Sequence, residues 1–192
     1  ATISIRGTTL KLESWIENFF AAMLPASGTI HLSDSMIYNY HLSSNKRASV
    51  HAGWLIGTLS LYEDILPKID SCLDSGTNDF YIIGHSQGGA IAYLLTSMLH
   101  DLKSKNLKYK NLTIKTYASA APKPGNLYYA YEYEALTQNG WAFNVVNSAD
   151  WVPEGPFSIQ TTNDYNTLNP FSYVDVTLKN CRSNYNNLSH PR

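Results

Sequence analysis

Apolar residues recur along this chain in two periods, one of two residues and one near 3.6, and the two alternate. Ala1 to Arg6 carries β-branched Thr2, Ile3 and Ile5 and reads as a strand. Leu12, Trp15, Ile16, Phe19, Phe20, Met23 and Leu24 follow at helical spacing, with Lys11, Glu13, Glu17 and Asn18 on the other side. Pro25 and Gly28 are expected to stop that helix. Thr29 to Leu32 and Met36 to Tyr40 are short alternating segments joined by Ser33-Asp34-Ser35, the pattern of a hairpin or surface excursion, and Ser43 to Arg47 is an exposed loop. Val50 to Trp54 introduces a long helix carrying Leu55, Leu59, Tyr62, Ile65, Leu66 and Ile69, with a kink expected at Pro67 and an end near Ser75-Gly76.

From Phe80 the periods switch abruptly. Phe80 to Ile83 is a buried-strand run, Gly84-His85-Ser86-Gln87-Gly88 a turn, and Ala90, Ile91, Leu94, Leu95, Met98 and Leu102 lie on one face of a helix. Leu112 to Ala118 is the next strand, Ser119 to Gly125 a proline-stiffened loop, Asn126 to Thr137 a helix and Trp141 to Asn147 another strand. Strands alternating with helices predict a parallel sheet, which delivers the loop after every strand to one edge. Beyond Pro153 the pattern weakens. Residues 157–169 are irregular, Phe171 to Leu178 reads as a last strand, and Asn180 to Arg192 is a polar tail.

The chain has 192 residues, 44% of them hydrophobic, which suits one domain over 1–192. A net charge of -1 leaves no basic face for nucleic acid. With only 15% charged residues and fourteen Tyr, the surface fits an uncharged substrate better than a phosphorylated one. No apolar run is long enough to span a bilayer and no signal peptide is present. The chain begins at Ala1 without Met, which reads as a processed product or a fragment, its fold beginning upstream. Cys72 and Cys181 are far apart and outside any C-x-x-C spacing, so no zinc or redox motif is formed. They are expected at opposite edges of the sheet, too distant to pair, and so to be two free thiols.

The candidate chemistry lies at the switch of period. Gly84-x-Ser86-x-Gly88 sits between a strand and a helix, where a sharp turn leaves no room for neighbouring side chains and lifts Ser86 clear as a nucleophile. The helix N-terminus and the Gln87 backbone N–H can stabilise an oxyanion there. Arg6 to Thr9 breaks the first strand, and Thr8 is the candidate second donor, the other reading being an ordinary glycine turn. Asp150 follows a strand downstream of the serine, as a histidine's partner or a turn residue. His51 and His85 are expected to be structural, His51 at a helix start and His85 pointing back into packing. After Asp150 the chain holds one histidine, His190, which is the base or a frayed terminal residue. The helix of Leu12, Trp15, Ile16 and Phe19 is either core or a lid that opens at a lipid surface.

Taken together, Ile5-Arg-Gly-Thr8, Val50-His-Ala-Gly-Trp54, Gly84-His-Ser-Gln-Gly88, Ala121-Pro-Lys-Pro-Gly125 and Asn147 to Pro153 resemble, in order, the motifs of the class 3 lipases, the fungal-lipase-like branch of the α/β-hydrolases. The resemblance covers about residues 3 to 153. It implies an α/β-hydrolase fold, a mostly parallel central sheet flanked by helices, lacking its N-terminal elements here. It also implies Ser86 as nucleophile, Asp150 as acid, Thr8 and Gln87 as the oxyanion hole, and the helix after the Arg6-Gly7-Thr8 loop as a lid. The expected activity is a serine hydrolase of carboxylic esters, above all a triacylglycerol lipase, with no cofactor or metal. Its partner is a lipid or small ester, met through the lid in transient contact with an interface. The resemblance favours a secreted or periplasmic enzyme. A feruloyl or other soluble-ester esterase, and a non-catalytic binding protein on the same scaffold, stay open as alternatives.

Overall fold

The computed structural model describes residues 1–8, 22–31 and 36–155. Strand β1 (Thr2–Ile5) is followed by β2 (Met23–Pro25), β3 (Ser27–His31), β4 (Ile37–His41) and β5 (Ser49–His51). Then come helix α1 (Ala52–Asp74), β6 (Asp79–His85), α2 (Gln87–Lys105), β7 (Thr113–Ser119), α3 (Leu127–Thr137) and β8 (Ala142–Val145). The main sheet runs in the order β1-β6-β7-β8, every pair parallel, because each strand is separated from the next by a helix that returns the chain to the same end.

Alternation along the strands decides which face is covered. Phe80, Ile82, Ile114, Thr116 and Ala118 are buried against α2, where the Thr116 hydroxyl meets that of Thr96 at 2.7 Å. Leu94, Leu95 and Leu99 of α2, with Leu55, Leu59 and Ile69 of α1, complete this core. The intervening positions Tyr81, Ile83 and Phe143 are exposed on the other face, where Tyr117 stacks on Phe143 at 5.2 Å under the Lys115 ammonium.

Helix α1 starts from His51. Its Nδ1 accepts the Trp54 N–H at 3.4 Å and its ring stacks on the Trp54 indole with centroids 3.8 Å apart, so the buried imidazole caps the helix as expected. Pro67 lies inside α1, and the helix ends at Ser75, followed by Gly76 at φ 85. Cys72 is a free, half-buried thiol, while Cys181 lies outside the described residues.

Two expectations are corrected here. Met23 and Leu24 continue no helix: with Pro25 they form β2, antiparallel to β5, pairing Leu24 with Val50 and Pro25 with Ser49. Backbone pairing overrides a helical spacing that three apolar residues satisfy equally well as a strand, and a proline is tolerated at its end. Gly28 likewise lies within β3, which pairs with β4 as the expected hairpin. The helix expected over Leu12, Trp15, Ile16, Phe19 and Phe20 falls outside the described residues, as does the strand expected over Phe171 to Leu178.

The hairpin is held to α2 by His41, whose Nδ1 lies 2.8 Å from Asp101 Oδ1. The neighbouring His100 gives a testable pH dependence. Burial, reinforced by the Lys103 ammonium, pushes its imidazole from the ordinary 6.5 down to about 4. Above 6.5 both states are neutral, and between 6.5 and about 4 the unfolded chain takes up a proton that the folded one refuses. Stability therefore falls as the pH drops through this window. Urea unfolding from about pH 7 to about pH 4.5 is expected to show a smaller loss in His100→Gln than in the wild type; equal losses would remove His100 from the account.

Candidate active site

The site forms where β6 becomes α2. Strand pairing holds the chain extended up to His85, helical bonding begins at Gln87, and Ser86 alone absorbs the change, at φ 55 and ψ −128. A non-glycine residue in that region costs on the order of 1–3 kcal/mol and persists only where its surroundings fix it. The Ser86 N–H donates to the Ser119 carbonyl at 2.9 Å, and the Ser86 carbonyl accepts from Gly89 at 2.8 Å. The serine is thereby fixed on both sides.

Glycine lets the backbones close round it. A Cβ on Gly88 would run into the carbonyls of Ile5 and Arg6, so β1 and the first turn of α2 touch through bare backbone. A Cβ on Gly7 would lie 2.8 Å from the His85 carbonyl and 3.3 Å from the Ser86 Cβ. The loop after β1 therefore passes directly beside the serine, and half-buried Thr8 is its next residue. Gln87, 3% exposed, opens α2, where the first-turn N–H groups carry the positive end of the helix dipole.

Asp150 lies in the turn after β8, at the same edge of the sheet. Its N–H donates to the Asn147 carbonyl at 3.0 Å and its Oδ1 accepts the Val152 N–H at 3.0 Å. The Lys123 N–H donates to the Gly155 carbonyl at 2.7 Å, tying this segment to the loop after β7. Ser86, Gln87, Thr8 and Asp150 are thus gathered at one edge, with Asp150 two strands from Ser86 in the order β6-β7-β8. His190 and the residues Leu12, Trp15, Ile16 and Phe19 lie outside the described residues.

His85 departs from expectation. It does not point back into packing: the alternation that buries Ile82 and exposes Ile83 puts His85 on the exposed face, with Nδ1 3.0 Å from Ser119 Oγ. Counting in twos from Phe80 would have found this. Nothing in the sequence marks Ala120, which follows Ser119 at φ 47. At the carboxyl end of the sheet a cavity of about 420 Å³ is lined by Arg6, Gly7, His85, Tyr117, Ser119 and Val145 among others. No helix among the described residues is long and apolar enough to cross a membrane.

A parallel sheet whose strand turns into a helix through a strained serine defines the α/β-hydrolase fold. Residues 2–160 match the family described as lipase (class 3), and the chain belongs to that family. It is 35% identical over 79 residues to the Caenorhabditis elegans lipase ZK262.3, a match covering 41% of this chain and 20% of that protein. Among solved structures it is similar to the lipase of Rhizopus microsporus var. chinensis, at 25% identity and a TM-score of 0.54, covering 81% of this chain and 47% of that one. The Rhizomucor miehei triacylglyceride lipase shares the fold, at 21% identity and a TM-score of 0.55, over 82% of this chain and 52% of its own. The chain thus spans about half the length of the two fungal enzymes and a fifth of the worm protein.

Proposed function

We propose that this protein hydrolyses carboxylic esters of lipids, with triacylglycerol as the substrate class, through Ser86, His190 and Asp150. The observation that carries the reading is Ser86 itself, held at φ 55 and ψ −128 between β6 and α2, a conformation whose cost makes sense for a residue that must project from the elbow. His190 takes the hydroxyl proton as Ser86 Oγ attacks the ester carbonyl, and the backbone N–H groups of Thr8 and Gln87 receive the oxyanion. The proton passes to the leaving alcohol, and water then releases the acyl group by the same steps.

Strand order supports a three-part site. β6 and β8 lie two strand spacings apart, roughly 9.5 Å, so the Asp150 carboxylate needs a group of imidazole size between itself and the serine. The one histidine after Asp150 supplies it from a tail of about a dozen residues beyond Leu178, which can reach well over 20 Å at roughly 3.3 Å per residue. The apolar face of Leu12, Trp15, Ile16 and Phe19 acts as the lid, and the neutral, tyrosine-rich composition suits an uncharged ester. The lipase names of the relatives favour a lipid over a soluble ester, and membership of the class 3 lipase family favours a secreted or periplasmic enzyme.

The test titrates a short-chain triglyceride through its solubility limit. Opening a lid exposes apolar surface that is costly in water and stabilised at an ester–water interface, so the rate is expected to jump at that limit in the wild type. Trp15→Ser should blunt the jump, and Ser86→Ala should hydrolyse nothing. A smooth hyperbola unaltered by Trp15→Ser would identify a soluble-ester esterase, and no turnover of any ester would identify a binding protein on this scaffold.

A further inference from the structure

Beyond the β6–β7 ladder, the elbow is tied to β7 by one backbone bond and one side-chain bond. His85 and Ser119 are register partners at the carboxyl ends of β6 and β7. The Ser119 carbonyl accepts the Ser86 N–H at 2.9 Å, while the Ser119 hydroxyl meets the Nδ1 of His85 at 3.0 Å. Ser119 in turn precedes Ala120, at φ 47, whose N–H donates to the Val145 carbonyl at 2.9 Å. Each partner of the side-chain bond thus stands immediately before a residue in the left-handed region.

The placement argues against a role in folding. Both side chains lie on the sheet face opposite α2, and His85 is exposed, so their hydrogen bond replaces bonds to water and adds little to global stability. Its geometric effect is larger. A strained residue stays in its conformation only if neighbouring groups fix the peptide planes around it. The Ser86 N–H bond fixes the plane between His85 and Ser86, and the imidazole clamps the residue that supplies the acceptor carbonyl. Without the clamp, the Ser119 hydroxyl turns toward solvent, the acceptor carbonyl is held by the strand ladders alone, and the elbow can relax away from φ 55.

We infer that His85 and Ser119 are positioning residues that hold the Ser86 elbow in its reactive conformation, an assignment that rests on the reading of Ser86 as the nucleophile. Neither touches the ester; they act through the serine.

The experiment measures, on the full chain, the second-order rate of Ser86 labelling by a fluorophosphonate, kcat and KM for a soluble p-nitrophenyl ester, and Tm. Ser119→Ala and His85→Ala are each expected to label about tenfold more slowly, with kcat lowered and KM and Tm unchanged. Ser119→Thr keeps the hydroxyl, and His85→Asn places an amide atom near the position of Nδ1, so both should label within about twofold of wild type. The double alanine variant should be no slower than either single one, since the pair acts as a unit. Wild-type rates in Ser119→Ala, additive losses, conservative variants as slow as alanine, or rates that fall only in step with Tm would each overturn the positioning role. A wild type that takes no label overturns the nucleophile reading instead, and the positioning role with it.

Discussion

Gly88→Ala is expected to destabilise the protein by about 3 kcal/mol or more, although it adds one methyl to a helix and alanine is the better helix former. Gly88 is buried in the first turn of α2, and its missing Cβ is the space occupied by the Ile5 and Arg6 carbonyls. Both obstacles are backbone, so no side chain can turn aside. Relief requires β1 to move away from α2, which breaks its pairing with β6 and carries the Gly7-Thr8 loop off the serine. Gly76→Ala is the informative comparison. At φ 85 it strains the backbone but meets nothing within 4 Å, so its cost should stay near 1 kcal/mol. Urea midpoints compared at a common m-value read both effects, and similar midpoints for the two variants would show that the elbow accommodates a side chain.

The second large effect concerns the proposed base. His190→Ala should lower ester hydrolysis by about 10⁴-fold or more, close to the loss in Ser86→Ala, because members of a triad fail as a unit. His51→Ala addresses the alternative directly: that imidazole caps α1 and stacks on Trp54, so its loss is expected in stability while the folded fraction keeps its chemistry. Turnover numbers corrected for folded protein separate the two. A fully active His190→Ala would transfer the role of base to another group and leave Ser86 as the site's remaining anchor.

Much of this was legible because one physical demand was written several times over. The strand, the glycines on either side of Ser86 and the helix all follow from a backbone that must reverse within one residue, and the structure repeats that order from Asp79 to Lys105. The β3–β4 hairpin was legible for the same reason, an alternation of two interrupted by turn residues. β2 was not, since Met23 and Leu24 satisfy helical spacing and strand pairing alike and only the distant Val50 decides between them. β8 ends at Val145, two residues before the expected Asn147, and the chain turns there to bring Asp150 to the edge. The orientation of His85 was available from strand parity, whereas its bond to Ser119 depends on the register of β7, which no local pattern encodes.

The central claim is that the strained serine is an activated nucleophile. Incubating the full chain with a fluorophosphonate and mapping the adduct by peptide mass spectrometry tests it without any assumption about chain length, head group or lid. A single covalent adduct on Ser86, absent from Ser86→Ala and slowed in Asp150→Ala, is the predicted result. Folded protein that takes no label, or takes it equally well in Ser86→Ala, would contradict the account.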